Sequence, residues 1–187
     1  MGKFDANLWR QRATARFNRA VARRGVDKAK RKRLDEAWTR DIAAIDDLST
    51  VIGWCAERCI DVGFVKKPLG DYQPTFKEIN ISSRLAPTNQ VVVLLHECGH
   101  HLVGDVQEGH ARFGMGYPQS DAEVLKTMNH RVAVLEEELE AWHRGWKLAQ
   151  RLCLSVPREV FDEMRLRCVK TYMQWVLNPG RKRVDYQ

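Results

Sequence analysis

The stretch that most constrains this chain is His96-Glu97-Cys98-Gly99-His100, which follows the apolar run Val91-Val92-Val93-Leu94-Leu95. It has the form H-E-x-x-H. Residues four apart on a helix lie one above the other on the same face, so His96 and His100 can turn their imidazoles toward one metal ion. Glu97, next to the first of them, is placed to reach a metal-held water as general base. Leu94 and Leu95 before the motif's end, with Leu102 and Val103 after it, make this a core helix rather than a solvated one. Two histidines leave a zinc site incomplete, so another part of the chain must bring a third ligand.

The remaining composition narrows the class. A chain of 187 residues is long enough for one domain with a sizeable core. No apolar run reaches the roughly eighteen residues of a membrane span. Met1-Gly2-Lys3-Phe4-Asp5-Ala6 lacks both a signal-peptide apolar core and the hydroxyl residue favoured for myristoylation. The expectation is a cytoplasmic protein with no membrane partner. Five cysteines, without C-x-x-C pairs, read as reduced thiols packed as small apolar groups. Cys55 and Cys59 would face one another on a helix, and Cys98 reads as a passive filler of the motif. Charge is uneven: residues 1–40 hold thirteen Lys/Arg against four Asp/Glu, and the rest holds eighteen against twenty. A basic arm of that kind can contact phosphates, or it can simply keep an amphipathic helix pair in solution.

Taken in order, the spacing of Trp9, Ala13, Phe17 and Val21 predicts a helix over 6–24. Gly25-Val26-Asp27 breaks it, with Asp27 as N-cap of a second helix over 28–58. Short alternating apolar stretches predict strands over 59–66 and 75–82, separated by a loop marked by Pro68, Gly70 and Pro74. The motif helix starts at Pro87-Thr88-Asn89, with Thr88 or Asn89 as its cap, and ends near Gly104. Residues 105–128 read as a long Gly-rich loop that lines a cleft. Further helices are expected over 129–154, with an apolar stripe of Leu135, Leu139, Trp142, Trp146, Ala149 and Cys153, and over 158–177. The expected fold class is α+β and mostly helical, with a small β-sheet next to the H-E-x-x-H helix. Residues 1–58 form a basic helical segment packed on a unit spanning 59–187.

Two candidates compete for the third ligand. Glu138 sits among Val134, Leu135, Ala141 and Trp142, and a carboxylate on an apolar face needs a compensating partner such as a metal ion. His110 lies in Glu108-Gly109-His110. Glu136 and Glu140 fall toward solvent, Glu137 lies further round near Arg144, and His101 and His143 read as polar surface groups. His130, Tyr117 and Tyr172 are possible oxyanion donors that nothing in the sequence separates.

H-E-x-x-H followed by glutamates on a later helix resembles the gluzincin metallopeptidases. The Ile79-Asn80-Ile81-Ser82-Ser83-Arg84-Leu85 approach and the Glu138-Leu139-Glu140-Ala141 stretch are most similar to the ImmA/IrrE-type peptidases and related phage and prophage enzymes. The resemblance spans about residues 76–154. It implies a zincin-like fold and a Zn2+ cofactor, with His96, His100 and Glu138 as ligands and Glu97 as general base. It also implies a protein or peptide substrate and, for a phage gene, action in the host cytoplasm. Trp142 departs from the family, standing where many gluzincins have Asp or Asn. Gly109-His110-Ala111-Arg112-Phe113 loosely resembles the SprT-like pattern of DNA-associated proteases, with His110 as third ligand. Glu138 is preferred. The other readings are a nucleic-acid-binding protein that uses the basic arm, and an interaction scaffold whose zinc site is structural or vestigial.

Overall fold

A computed structural model describes residues 4–23, 25–66, 70–104 and 126–178. The architecture is mostly helical α+β, built from helices α1 (Ala6–Val21), α2 (Lys28–Ala56), α3 (Pro87–Gly104), α4 (Met128–Arg151) and α5 (Arg158–Leu177), and strands β1 (Asp61–Val65), β2 (Asp71–Gln73) and β3 (Glu78–Ser82). No described helix is long and apolar enough to cross a membrane.

The first two helices form an antiparallel hairpin, and both begin as their sequences dictate. Asp5 accepts from the Leu8 amide at 3.0 Å, and Asp27 accepts from the Lys30 amide at 2.7 Å, each satisfying one orphan helix N–H. Between the helices Phe17 stacks near Trp38, with centroids 5.5 Å apart, and Trp38 Nε1 donates to Thr14. At the other end of α1, Phe4 and Trp9 meet Phe64 of β1 and tie the hairpin to the sheet. Core burial along α2 starts only at Ala44. From there Leu48, Val51 and Cys55 join one continuous core with Ile79, Leu94 and Phe161.

The sheet order is β1-β3-β2. β3 runs parallel to β1 and antiparallel to β2, with Tyr72 opposite Ile79. As the central strand it buries Ile79 and Ile81 completely. β1 is shorter than the expected 59–66, running from Asp61 to Val65, and the other two strands differ from expectation as well. β2 lies within the stretch expected to be a loop, because an edge strand of three residues shows no alternation to read. β3 begins at Glu78 rather than Thr75: Phe76 breaks the alternation of Ile79 and Ile81, sits in the turn and is 74% exposed.

α3 starts one residue earlier than its expected cap. Pro87 is the first helical residue and Ala86 O accepts from the Gln90 amide at 3.0 Å, so neither Thr88 nor Asn89 is the cap. Proline suits this position because its missing N–H would have had no helical partner. The buried Gln90 side chain donates to Ser82 O, fastening the helix start to the end of β3. Val91, Val92, Leu94, Leu95 and Cys98 are all fully buried, as expected of a core helix.

The cysteines part company with expectation. Cys59 and Cys153 are exposed, and Cys59 lies beyond α2 at φ 56°, turned away from the helix face of Cys55. Cys55 instead meets Cys98, Sγ to Sγ at 3.5 Å, so Cys98 is a packed contact between α2 and α3. Burial and the Cys55 thiol push the Cys98 thiol well above its usual range, which keeps the Cys98 sulfur protonated and unreactive.

Candidate metal centre

Two glycines bring the candidate ligands together. A Cβ on Gly99 would lie 2.0 Å from Ala141 O, and one on Gly145 would lie 2.4 Å from Leu95 O. Real Cβ atoms do not tolerate such distances, so α3 and α4 approach each other closely only because both positions lack side chains. That contact turns α4 away from its expected orientation. The helix presents Val134, Glu138, Ala141, Trp142, Gly145 and Leu148 to the core, while Leu139 and Cys153 are exposed. The apolar stripe is displaced because small residues, not leucines, decide which edge of α4 fits against α3.

Glu138 thereby arrives between the two histidines. His96 Nε2 lies 3.3 Å from His100 Nε2 and 3.3 Å from Glu138 Oε2, and His100 Nε2 lies 3.5 Å from Glu138 Oε1. One ligand atom from each residue falls within a group spanning 4.8 Å. Ligands held about 2.0–2.1 Å from a tetrahedral zinc stand about 3.3–3.4 Å apart, close to the 3.3 Å and 3.5 Å separations here, which involve both carboxylate oxygens of Glu138. Glu138 is 2% exposed, and its Oε2 has no hydrogen-bond partner among the described residues. A buried carboxylate oxygen left over in this way, facing two imidazole nitrogens, fits a cation.

The surroundings hold the three groups in place. The His96 ring lies parallel to Trp142, with centroids 4.1 Å apart and planes 19° apart. Trp142 itself packs edge-on against Phe161. The residue that departs from the gluzincin pattern is thus the wall on which one ligand rests. Glu137 approaches His100 Nδ1 at 3.7 Å rather than pairing with Arg144, which binds Glu140 at 2.8 Å and Leu102 O. Tyr172, from α5, hydrogen-bonds to Glu138. These supports come from positions whose significance depends on tertiary contact. In the sequence nothing separates Tyr172 from His130 and Tyr117, and nothing local marks Glu137 or Gly99.

Electrostatics follow from the burial. For His100, burial favours the neutral ring, but Glu138 and Glu137 outweigh it and raise the pKa to about 10. For Glu138, burial favours the neutral acid, but the two imidazoles hold its pKa far below the usual carboxylate range. Burial and Glu138 push the Tyr172 phenol well up, so it stays protonated. Glu97 is 6% exposed. Its pKa is raised by burial, with Glu138 and Asp71 adding to the rise and both histidines opposing it. The backbone at Gly70, entering β2, passes directly over its carboxylate.

His101 is a correction. It is 2% exposed rather than a surface group, bonds Tyr72 Oη through Nδ1 at 2.9 Å, and meets Trp54 edge-on. It anchors β2 against α3 and faces away from the ligand group. His143 is exposed, and His130 is buried beside Trp175. His110, Tyr117 and most of the expected cleft loop lie outside the described residues.

No protein-family model, curated protein or solved structure matches the chain. The functional reading therefore rests on the sequence motif and on a buried His96/His100/Glu138 group able to hold a metal ion.

Proposed function

We propose that the protein is a zinc-dependent peptidase that hydrolyses peptide bonds, with His96, His100 and Glu138 holding the ion. The observation that carries this reading is the close convergence of three donor groups, Glu138 buried and His96 and His100 half-buried, with a fourth group, Glu97, buried beside them. A zinc ion supplies Lewis acidity toward water and toward a carbonyl oxygen. Glu97 takes a proton from the attacking water and returns it to the departing amine. Its burial favours this role, because a carboxyl raised above its ordinary range holds a proton long enough to pass it on. Tyr172 and Glu137 orient Glu138 and His100, and Trp142 fixes the plane of His96. The cover over Glu97 from the start of β2 keeps bulk water from competing at the carboxylate.

Elemental analysis of wild type, Glu138→Ala and His110→Ala in parallel tests the ligand set. Zinc near one equivalent is expected in wild type and in His110→Ala, and little in Glu138→Ala. The reverse pattern would transfer the third position to His110. Glu97→Gln is expected to keep its zinc and lose about 10²–10⁴-fold in hydrolysis of a mixed peptide library. A zinc-loaded Glu97→Gln protein that still cleaves would remove Glu97 as the base. Tyr172→Phe is expected to weaken zinc binding by about 10–100-fold, the range for losing a group that orients a ligand.

A further inference from the structure

The α1–α2 hairpin carries a charge for which peptide hydrolysis has no use. Residues 19–33 contain eight Lys/Arg and one Asp, a net of +7, which is the net charge of the whole protein; the remaining residues carry 23 of each sign. We propose that the turn end of this hairpin is a docking surface for the phosphate backbone of double-stranded DNA, engaged without regard to base sequence.

Three observations carry the proposal. Arg19, Arg23, Lys28, Lys30, Arg31 and Arg33 are all exposed, and none has an ion-pair partner among the described residues. Lys32 reaches Glu36 only at 4.0 Å, and Asp27 is occupied as the α2 cap. Second, the cations of α2, unlike Arg19 in the last turn of α1, stand where they oppose helix formation. The first turn of α2 holds no acidic residue, and positive charge there works against the helix dipole. A segment that needed only solubility would carry Asp or Glu at that end. Third, this end projects from the molecule. From Lys28 to Ala44, the first core residue of α2, is about 24 Å of helix at 1.5 Å per residue.

The chemistry favours duplex DNA over an unpaired strand or a lipid surface. Phe17 and Trp38 are turned into the hairpin seam, so the basic end offers no aromatic platform for unpaired bases. The one large exposed hydrophobic side chain of the described hairpin, Leu8, lies at its opposite end, so nothing at the basic end would enter a lipid surface. A fixed row of cations on two stiff helices suits a stiff, dense line of phosphates.

The test uses the full chain and a fluorescent duplex of arbitrary sequence, with anisotropy read across a salt series. Wild type is expected to bind with an affinity that falls steeply with salt. A variant with Arg19, Arg23, Lys30, Arg31 and Arg33 all changed to Gln is expected to lose at least about tenfold in affinity. Its salt slope should fall by about 0.9 for each phosphate contact removed. A second variant removes the same charge elsewhere, at Lys147, Arg151, Arg158, Arg165 and Arg167, and is expected to bind as wild type. Circular dichroism checks that both variants are folded. Equal losses in the two variants would overturn the proposal, since net charge alone would then explain binding. Tighter binding to a single strand, or to vesicles of phosphatidylserine and phosphatidylcholine, would also overturn it. His96→Ala is expected to bind the duplex unchanged, which separates this proposal from the zinc reading; a loss there would count against an independent docking surface.

Discussion

The α3–α4 crossing and the α1–α2 hairpin are both helix pairs, yet they are built on opposite principles. At the crossing, Gly99 and Gly145 bring two backbones into direct contact, and Leu95, Cys98, Glu138, Ala141 and Trp142 are buried around them. At the basic end of the hairpin the helices meet mainly through Phe17, Trp38 and Thr14, and the outer surface is bare charge. The first arrangement fixes side chains to within the tolerance of coordination chemistry. The second presents a surface to something large and asks for no such tolerance. A single chain thus divides between a part where a methyl group is too much and a part where five side chains can be changed at once.

That contrast can be broken by substitution. Trp142→Ala should have the largest effect, about 3–5 kcal/mol of stability by denaturant unfolding, because a fully buried indole and the wall behind His96 disappear together. A loss below about 1 kcal/mol would mean the crossing is far softer than its packing implies. Gly99→Ala should cost about 1–3 kcal/mol and also lower zinc content, since the added methyl meets the Ala141 carbonyl and must push Glu138 away from the histidines. Unchanged zinc content in a destabilised Gly99→Ala would show that the ligand group tolerates helix separation. Asp47→Ala tests the middle ground, where the lower half of α2 joins the core. Buried Asp47 accepts from Ser155 N at 3.0 Å and from Ser155 Oγ at 2.9 Å. Losing it should cost about 1–3 kcal/mol, with the Ser155 amide left unpaired. The hairpin variant with five glutamines should change stability least, within about 0.5 kcal/mol in thermal unfolding, because losing charge that opposes the α2 dipole offsets losing Arg19, which favours the α1 dipole.

Much of the fold was legible because its signals are local. Asp27 sits where a helix cap belongs, and helix periodicity marked α2, α3 and α5 to within a residue or two. The motif residues and Glu138 could be named because a carboxylate on an apolar face is a physical anomaly that demands a partner. What escaped was decided by contacts between distant residues. β2 is held by the Tyr72–His101 bond and by pairing with β3, neither of which leaves a periodic trace. His101 reads as a surface polar group because nothing local gives a histidine a reason to be buried, whereas its burial comes from contacts with Trp54 and Tyr72. The rotation of α4, and with it the exposure of Leu139, follows from two glycines that a search for apolar stripes passes over.

Tyr172 has a consequence for how the protein comes into being. It lies on the last described helix, while the histidines it helps to serve through Glu138 are near the middle of the chain. A ribosome delivers His96 and Glu97 well before α5 has left the exit tunnel. A nascent chain, or one clipped ahead of α5, therefore carries the motif without the hydroxyl that bonds Glu138, and the surroundings of the candidate ligand group are complete only once α5 has docked.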